Sequence, residues 1–558
     1  MIGAMTEQMN GAQALIRTLV DAGVTACFTN PGTSEMHFVA ALDSVPEMRA
    51  VLALFEGVAT GAADGYARMA DAPAATLLHL GSGLGNGLAN LHNARRAKVP
   101  IVNIVGDHAT YHTQYDAQLQ SDIETVARNV SRWVRTSKST EELTRDAVEA
   151  IATAIGPPGQ VATLILPADV SWGKGAAPSQ ALKSATAPTA SGDVVDTIAR
   201  TLQNSSPTAI LLGGRALRER GLLMASRIAS ATSTKLLAEV FPTRLERGAG
   251  LPAVERLAYI PELASVQLRG LKHLVLVDTK APVSFFAYPG RKSYLVPEGC
   301  EVHELAGPES DVLGSLEALL DAVGAAAAEP AMQQPERPAR PTGRLTAETA
   351  CQAIGAILPE GAIVSDEAQT SGVSLAANTV GAPRHDWLTL TGGAIGQGLP
   401  VAVGAAIACP DRPVFALEGE GSGLYTIQSL WTMAREQLDV TAVIFNNRSY
   451  AILNIELQRV GARMAGDRAK AQLDLSGPDL DFGAIANGFG VPSRRVDTSE
   501  DLLDALERAV AEPGPHLIEA ATPTVFPPWQ VRAMPYALRA LGALPRPVAA
   551  AIKRRVYP

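Results

Sequence analysis

Short apolar runs alternate with amphipathic stretches along nearly the whole chain. Ala14 to Ala22 carries apolar residues at helical spacing, while Ala50 to Phe55, Ala75 to Leu80, Ile101 to Val105 and Val161 to Leu166 are strand-like. Ala209 to Leu212 and His273 to Val277 repeat the pattern, as do Ala362 to Ser365, Val414 to Leu417 and Val440 to Phe445. Short continuous apolar strands separated by helices predict parallel sheets covered on both faces. Two stretches interrupt the alternation. Gly173 to Gly192 is rich in Ala, Ser, Pro and Gly, and Ala325 to Gly343 is Pro-rich and polar, as linkers are. The pattern predicts an α/β protein of three doubly wound parallel-sheet domains, over residues 1–175, 193–324 and 344–558.

Composition narrows the class. The 558 residues supply several cores at roughly 150 residues per domain. With 47% hydrophobic and 18% charged residues, the chain is neither disordered nor a coiled coil. Its net charge of -9 argues against binding nucleic acid, which requires neutralising phosphates. There is no run of about 18 apolar residues, and Met1 to Leu19 lacks a basic leader with an apolar core. Cys27, Cys300, Cys351 and Cys409 have no metal-finger spacing and are expected to be reduced. A cytoplasmic, membrane-free protein is the expectation.

Candidate chemistry concentrates at three places. Val414 to Leu417 runs into the Gly-rich turn Glu418 to Gly423, then a helix, then a strand ending at Asn446-Asn447. In such a βαβ unit ligands bind at the carboxyl ends of strands, and free amides at the turn receive phosphate. Glu420 and Asn447, 27 residues apart, could meet at one rim as a hard-oxygen pair suited to Mg²⁺. A solvated loop carboxylate and an ordinary Asn turn is the alternative. Glu56 follows an apolar strand and precedes a helix of small residues. Partial desolvation there would suit proton work, although a first-turn glutamate facing the helix dipole explains it too. His79 closes a strand before the turn-like LGSGLGNG. It is either an acid/base or a structural histidine.

Taken together and in order, these segments resemble the thiamine-diphosphate-dependent enzymes of the acetolactate synthase, pyruvate oxidase and 2-keto-acid decarboxylase family. The family motif, GDG followed after about 25 to 30 residues by NN, stands here as Gly419-Glu420-Gly421 and Asn446-Asn447. The benzoylformate decarboxylase branch is the most similar, through NPGTSEMHF (30–38), EGVATGAADGYA (56–67), LHLGSGLGN (78–86), GGAIGQGLP (392–400) and GSGLYTIQSLW (421–431). The resemblance implies a pyrimidine-binding domain, a middle domain and a diphosphate-binding domain, with thiamine diphosphate and Mg²⁺ as cofactors. It implies that Glu56 bonds the pyrimidine N1′ and favours the imino tautomer, whose 4′-imino group deprotonates the thiazolium C2. A 2-keto acid then loses CO₂ because the thiazolium accepts the electron pair.

The same resemblance makes Ile395 the wedge between the cofactor rings and the Gly393 carbonyl an acceptor for the 4′-amino group. Glu420, the Asn447 side chain and the Ser449 carbonyl would hold Mg²⁺. Gln369, Thr370, Gly421, Ser422 and Tyr425 would contact the diphosphate. His79 matches a catalytic histidine, and Thr33 a serine that meets the substrate carboxylate. Self-association as a homodimer or homotetramer is implied, with sites between subunits.

Departures bear on substrate. Glu420 replaces the usual aspartate. Gln118-Leu119 stands where the decarboxylase has two leucines, and Ile452, Leu453 and Glu456 would line the pocket, Glu456 in place of an aromatic. A second catalytic histidine, from the middle domain, has no counterpart in APVSFFAYPG (281–290), where Phe285, Phe286 and Ala287 stand. Its loss would slow product protonation and favour attack on a second carbonyl. The C-terminal tail is expected either to cover the site or to pack on a neighbouring subunit. The GG pair of LLGGRALRERG (211–221) is weak evidence for a dinucleotide, and no FAD is expected. The leading expectation is a 2-keto-acid decarboxylase with carboligase activity. The alternatives are an acetolactate-synthase-like carboligase or a C–C lyase of 2-hydroxy ketones, and, in another class, a cofactor-binding scaffold without turnover.

Overall fold

The computed structural model describes residues 8–182, 186–462, 466–524, 526 and 528–556. Among these are three sheets with helices on both faces. The first is built from β1 (Ala26–Asn30), β2 (Arg49–Leu52), β3 (Ala74–Leu78), β4 (Ile101–Asp107), β5 (Trp133–Thr136) and β6 (Val161–Pro167), all parallel in the order β2-β1-β3-β4-β6-β5. The middle segment contributes β7 (Thr208–Leu212), β8 (Lys235–Ala238), β9 (Leu245–Arg247), β10 (Glu255–Arg256), β11 (His273–Val277) and β12 (Glu301–Ala306). Its own parallel sheet runs β10-β8-β7-β11-β12, without β9. The third sheet is formed by β13 (Ile363–Glu367), β14 (His385–Thr389), β15 (Val414–Gly419), β16 (Val440–Asn446), β17 (Ser493–Val496) and β18 (His516–Ala521), in the order β17-β18-β16-β15-β13-β14-β9. β9 crosses over to this sheet and pairs antiparallel with β14, Leu245 opposite Trp387.

β3, β6, β7 and β16 are buried along their whole length, which is why they read as continuous apolar runs rather than alternating ones. β2 stops at Leu52, short of the predicted Phe55, because the chain turns into a helix at Glu56–Ala70. The expected turn after His79 is instead the first half of a helix, Leu80–Ala97. Its glycines are poor helix formers but allow close packing: a Cβ at Gly87 would lie 2.9 Å from Thr60. Tertiary contact outweighs propensity here.

The helix Gly398–Ala408 is apolar on every side and packs on Glu56–Ala70. A side chain at Gly65 would fall on the Val401 carbonyl, and one at Gly404 on the Ala62 carbonyl. Nearby, the fully buried Arg68 grips Asp64 through two bonds of 2.7 Å. It also donates to the carbonyls of Thr389 (2.8 Å) and Thr243 (3.2 Å), so all three segments meet on one guanidinium.

The tail forms helices Pro528–Ala543 and Arg546–Val556. Leu538, Leu541 and Ala549 pack on Ala258, Leu263 and Val266 of the same chain's middle segment, and Arg269 donates to the Leu544 carbonyl. The helix Pro528–Ala543 also packs on the helix Ala451–Arg459, which carries Ile452, Leu453 and Glu456. All four cysteines are free, and burial pushes the Cys27 and Cys351 thiols up to about 12. Among the described residues no helix is long and apolar enough to cross a membrane.

Candidate active site

The sequence-selected residues fall into two separate sets, one at the carboxyl end of the first sheet and one at that of the third. In the first, Glu56 opens its helix half-buried, and its Oε2 accepts a hydrogen bond from Asn86 Nδ2 at 3.0 Å. His79 is the N-cap residue of the following helix, and Leu80 takes a left-handed φ of 54°. A Cβ built on Gly83 would lie 3.1 Å from Glu56 Oε1 and 3.5 Å from His79 Cβ, so glycine there lets the two side chains share one hollow.

The His79 imidazole points its Nδ1 at Glu35 Oε2, 2.9 Å away, with Ser34 Oγ at 3.4 Å. Glu35 is fully buried, and the same oxygen accepts the Gly32 N–H at 2.7 Å. A carboxylate against Nδ1 assigns the proton to that nitrogen and leaves Nε2 free to exchange one. Thr33 is exposed on the same short turn; its neighbour Ser34 is the residue that reaches His79. Glu35 lies inside the NPGTSEMHF motif, and its signal was a carboxylate three residues before the buried Phe38, visible only once His79 was placed.

Three asparagines about one helical turn apart lie on the helix Leu80–Ala97, and two of them connect the first domain to the third. Asn86 holds Glu56; Asn90 donates to the carbonyls of Gly57 (2.7 Å) and Gly396 (3.2 Å); and Asn93 donates to the Ala394 carbonyl (2.8 Å). The loop they hold carries Gly393, at φ 76°, and the half-buried Ile395. Its other side is fixed by Glu367, which accepts the N–H groups of Gly396, Gln397 and Gly398 at 2.9, 2.9 and 2.7 Å. Next to Glu367 is Glu418, equally buried. Burial, and then the neighbouring Glu367 charge, raise its carboxyl well above the usual range.

Glu420 is only 2% exposed. Burial raises its carboxyl, opposed by the amides of Ser449, Asn447 and Arg448; the Ser449 N–H bonds Oε1 at 2.9 Å. The extra methylene relative to aspartate thus carries the carboxylate onto the 447–449 turn. Asn447 donates to Ser371 Oγ at 3.3 Å, joining this turn to the 369–371 loop, while its Oδ1 is buried without a partner. An orphaned amide oxygen beside a carboxylate and the Ser449 backbone is an all-oxygen donor set, and it fits Mg²⁺. Gln369 (φ 51°) is exposed and Thr370 half-buried on that loop. Ser422 spends its hydroxyl on Glu418 Oε2 and the Gly419 carbonyl, so its backbone N–H is what it can offer a phosphate. A side chain at Gly421 would meet the Tyr450 ring, and Tyr425 is half-exposed, packed on Gly396.

The middle segment supplies an aromatic wall. The Phe285 ring lies on Gly393, where any side chain would collide with it. Around Phe285 stand Phe286, Tyr259 and Phe241, with ring centroids 4.9, 5.5 and 5.8 Å away. Burial and the Glu456 charge push the Tyr259 hydroxyl up to about 12. Glu456 is committed to Arg459 at 3.0 Å, which also pairs with Glu262 and bonds the Tyr288 hydroxyl. On the same helix Ile452 is half-buried and Leu453 exposed; Gln118 and Leu119 are exposed on a loop of the first domain. At the GG pair, the amides of Gly214 and Arg215 are capped by Glu239 (3.2 Å) and Asp278 (2.8 Å), carboxylates that would repel a phosphate.

Residues 9–127 match the thiamine pyrophosphate enzyme N-terminal TPP binding domain, and residues 370–520 the C-terminal TPP binding domain. The chain belongs to this family of enzymes. It is 59% identical over 520 residues, 93% of this chain and 100% of the relative, to a Mycobacterium tuberculosis protein named "Putative acetolactate synthase large subunit IlvX". It is 29% identical over 90% of its length to benzoylformate decarboxylase of Pseudomonas aeruginosa, covering 97% of that protein. Among solved structures, the Rhodococcus jostii thiamine diphosphate-dependent 4-hydroxybenzoylformate decarboxylase superimposes with a TM-score of 0.81 at 25% identity, over 92% of this chain and 99% of that one.

Proposed function

We propose that this enzyme decarboxylates a 2-keto acid with thiamine diphosphate and Mg²⁺, and that a second carbonyl compound competes with a proton for its product. The division at 1–175, 193–324 and 344–558, cytoplasmic work, and association as a homodimer or homotetramer belong to this reading. The observation that carries it is the pairing of two features: His79 oriented by Glu35, and Phe285 rather than a proton donor against Gly393.

When bound, the cofactor supplies the electron sink for loss of CO₂. Glu420, Asn447 and the Ser449 carbonyl would hold the metal, and Gln369, Thr370, Gly421, Ser422 and Tyr425 the diphosphate. Glu56 would hold a proton at the pyrimidine, with Ile395 and the Gly393 carbonyl fixing the ring's attitude. His79, its Nδ1 proton tied to Glu35, would present Nε2 to the substrate, with Thr33 and Ser34 near the carboxylate. The aromatic wall, with Phe285 and Phe286 about half exposed, offers an apolar face that suits an apolar or aromatic side chain. With no second imidazole on that wall, protonation of the product falls to His79 alone, so an acceptor carbonyl has time to react.

A carboligase of the acetolactate synthase kind is the second reading, and the name of the 59% identical relative favours it. CO₂ release from pyruvate, branched keto acids and benzoylformate, with and without an added aldehyde, tests both. CO₂ release with hydroxyketone formed when aldehyde is added supports the proposal. Turnover only with pairs of small keto acids supports the second reading. No CO₂ from any acid overturns both.

A further inference from the structure

On the middle sheet, far from the site above, two imidazoles and a carboxylate converge. His273 begins β11, and Glu301 and His303 lie two residues apart at the start of β12. In the parallel register His273 pairs with Glu301 and Val275 with His303. Side chains alternate faces along a strand, so Glu301 and His303 share one face and His273 joins them from the neighbouring strand.

Their ligand atoms form a small triangle. His273 Nδ1 is 3.2 Å from His303 Nε2 and 3.4 Å from Glu301 Oε2, and His303 Nε2 is 3.9 Å from that oxygen. Two nitrogens bound at about 2.0–2.1 Å to a tetrahedral Zn²⁺ sit about 3.3–3.4 Å apart, and a carboxylate oxygen lies about as far from each. The triangle therefore has the size of one face of a zinc tetrahedron. The imidazoles are 15% and 17% exposed and the carboxylate 72%, so the fourth corner opens to solvent. Among the described residues no other group of three His, Cys, Asp or Glu side chains converges this way.

We propose that His273, Glu301 and His303 bind a borderline divalent transition ion, Zn²⁺ in the first instance, with water at the open position. Two imidazoles and one carboxylate suit Zn²⁺ and Co²⁺ better than Mg²⁺, which demands six oxygens. The ion would clip the edge strand β12 to β11 at the amino ends of the strands. β11 spans about 13 Å, so this is the end opposite to the one feeding Phe285 to the cofactor side. The role is structural, outside the reaction.

The test uses the full chain saturated with Mg²⁺ and thiamine diphosphate, so that the Glu420 turn is not available, and titrated with Co²⁺. The expected result is one equivalent bound with the intense visible bands of a four-coordinate ion, bleached by Zn²⁺ and lost in His303→Ala and His273→Ala. Zn²⁺ should also raise the Tm of the unsubstituted chain and leave that of His303→Ala unchanged. Both substitutions are at partly exposed sites, and equal Tm values in chelator check that they fold. Absence of the bands in the unsubstituted chain, or their survival in both variants, overturns the proposal.

Discussion

Nδ1 of His79 lies 2.9 Å from Oε2 of Glu35, a carboxylate with no solvent exposure. The pair fixes which imidazole nitrogen is left to act, as a carboxylate does for a catalytic histidine in other enzymes. His79→Ala should lower kcat/KM for CO₂ release by about 10²–10⁴. Glu35→Gln keeps the shape and removes the charge that holds the Nδ1 proton, so it should cost about tenfold in kcat with little change in KM. A kcat unchanged in Glu35→Gln would remove Glu35 from the proposal.

Glu56→Gln should abolish turnover by about 10²-fold or more while the protein still binds thiamine diphosphate. Asn86→Ala frees the Glu56 carboxylate and should produce a smaller loss of the same kind. Cofactor binding followed by fluorescence, set beside steady-state rates, separates the two effects.

Because the Glu420 carboxylate is drawn onto the amides of the 447–449 turn, a bound metal would have to share it with the backbone. Glu420→Asp should withdraw it from those amides and change the Mg²⁺ concentration needed for half-maximal cofactor binding severalfold. Glu420→Ala should eliminate the Mg²⁺ dependence altogether, measured by titration at fixed cofactor.

Phe285→His places a titratable ring against Gly393. The expected outcome is a product ratio shifted from hydroxyketone toward simple aldehyde. Phe285→Ala should instead narrow the rate difference between benzoylformate and pyruvate. Product analysis at matched conversion reads both.

Glu418 carries a raised folded-state pKa, so the folded chain holds a proton that the unfolded chain releases above about 4.5. Its stabilising effect is complete below that pH and is lost as pH rises through the raised value. Glu418→Gln, neutral throughout, should flatten the fall of Tm with pH on that side. Parallel Tm–pH curves for the two proteins would show Glu418 to be ionised already.

The strands were legible because a strand buried on both faces needs an uninterrupted apolar run. The position of Glu56 and that of His79, each at the start of a helix that follows a strand, was legible from the same runs. Glu35 was not, since its importance depends on a histidine 44 residues away. The asparagine row was hidden because Asn86, Asn90 and Asn93 lie among glycines that suggest a turn, and only packing makes them a helix. The aromatic wall draws on Phe241, Tyr259 and Phe285 from separate loops, which no local pattern connects. Nor could composition reveal that Glu456 would be held by Arg459.

β9 leaves the middle segment to complete the third sheet, while the middle segment's own strands stay behind. Cutting the chain at the second linker therefore cannot yield two whole pieces: a C-terminal fragment starting near residue 344 lacks an edge strand, and exposes the β14 backbone it would have covered. Such a fragment is predisposed to recruit a strand from another molecule, and the enzyme is better regarded as a single interlaced body than as modules that evolution could exchange freely.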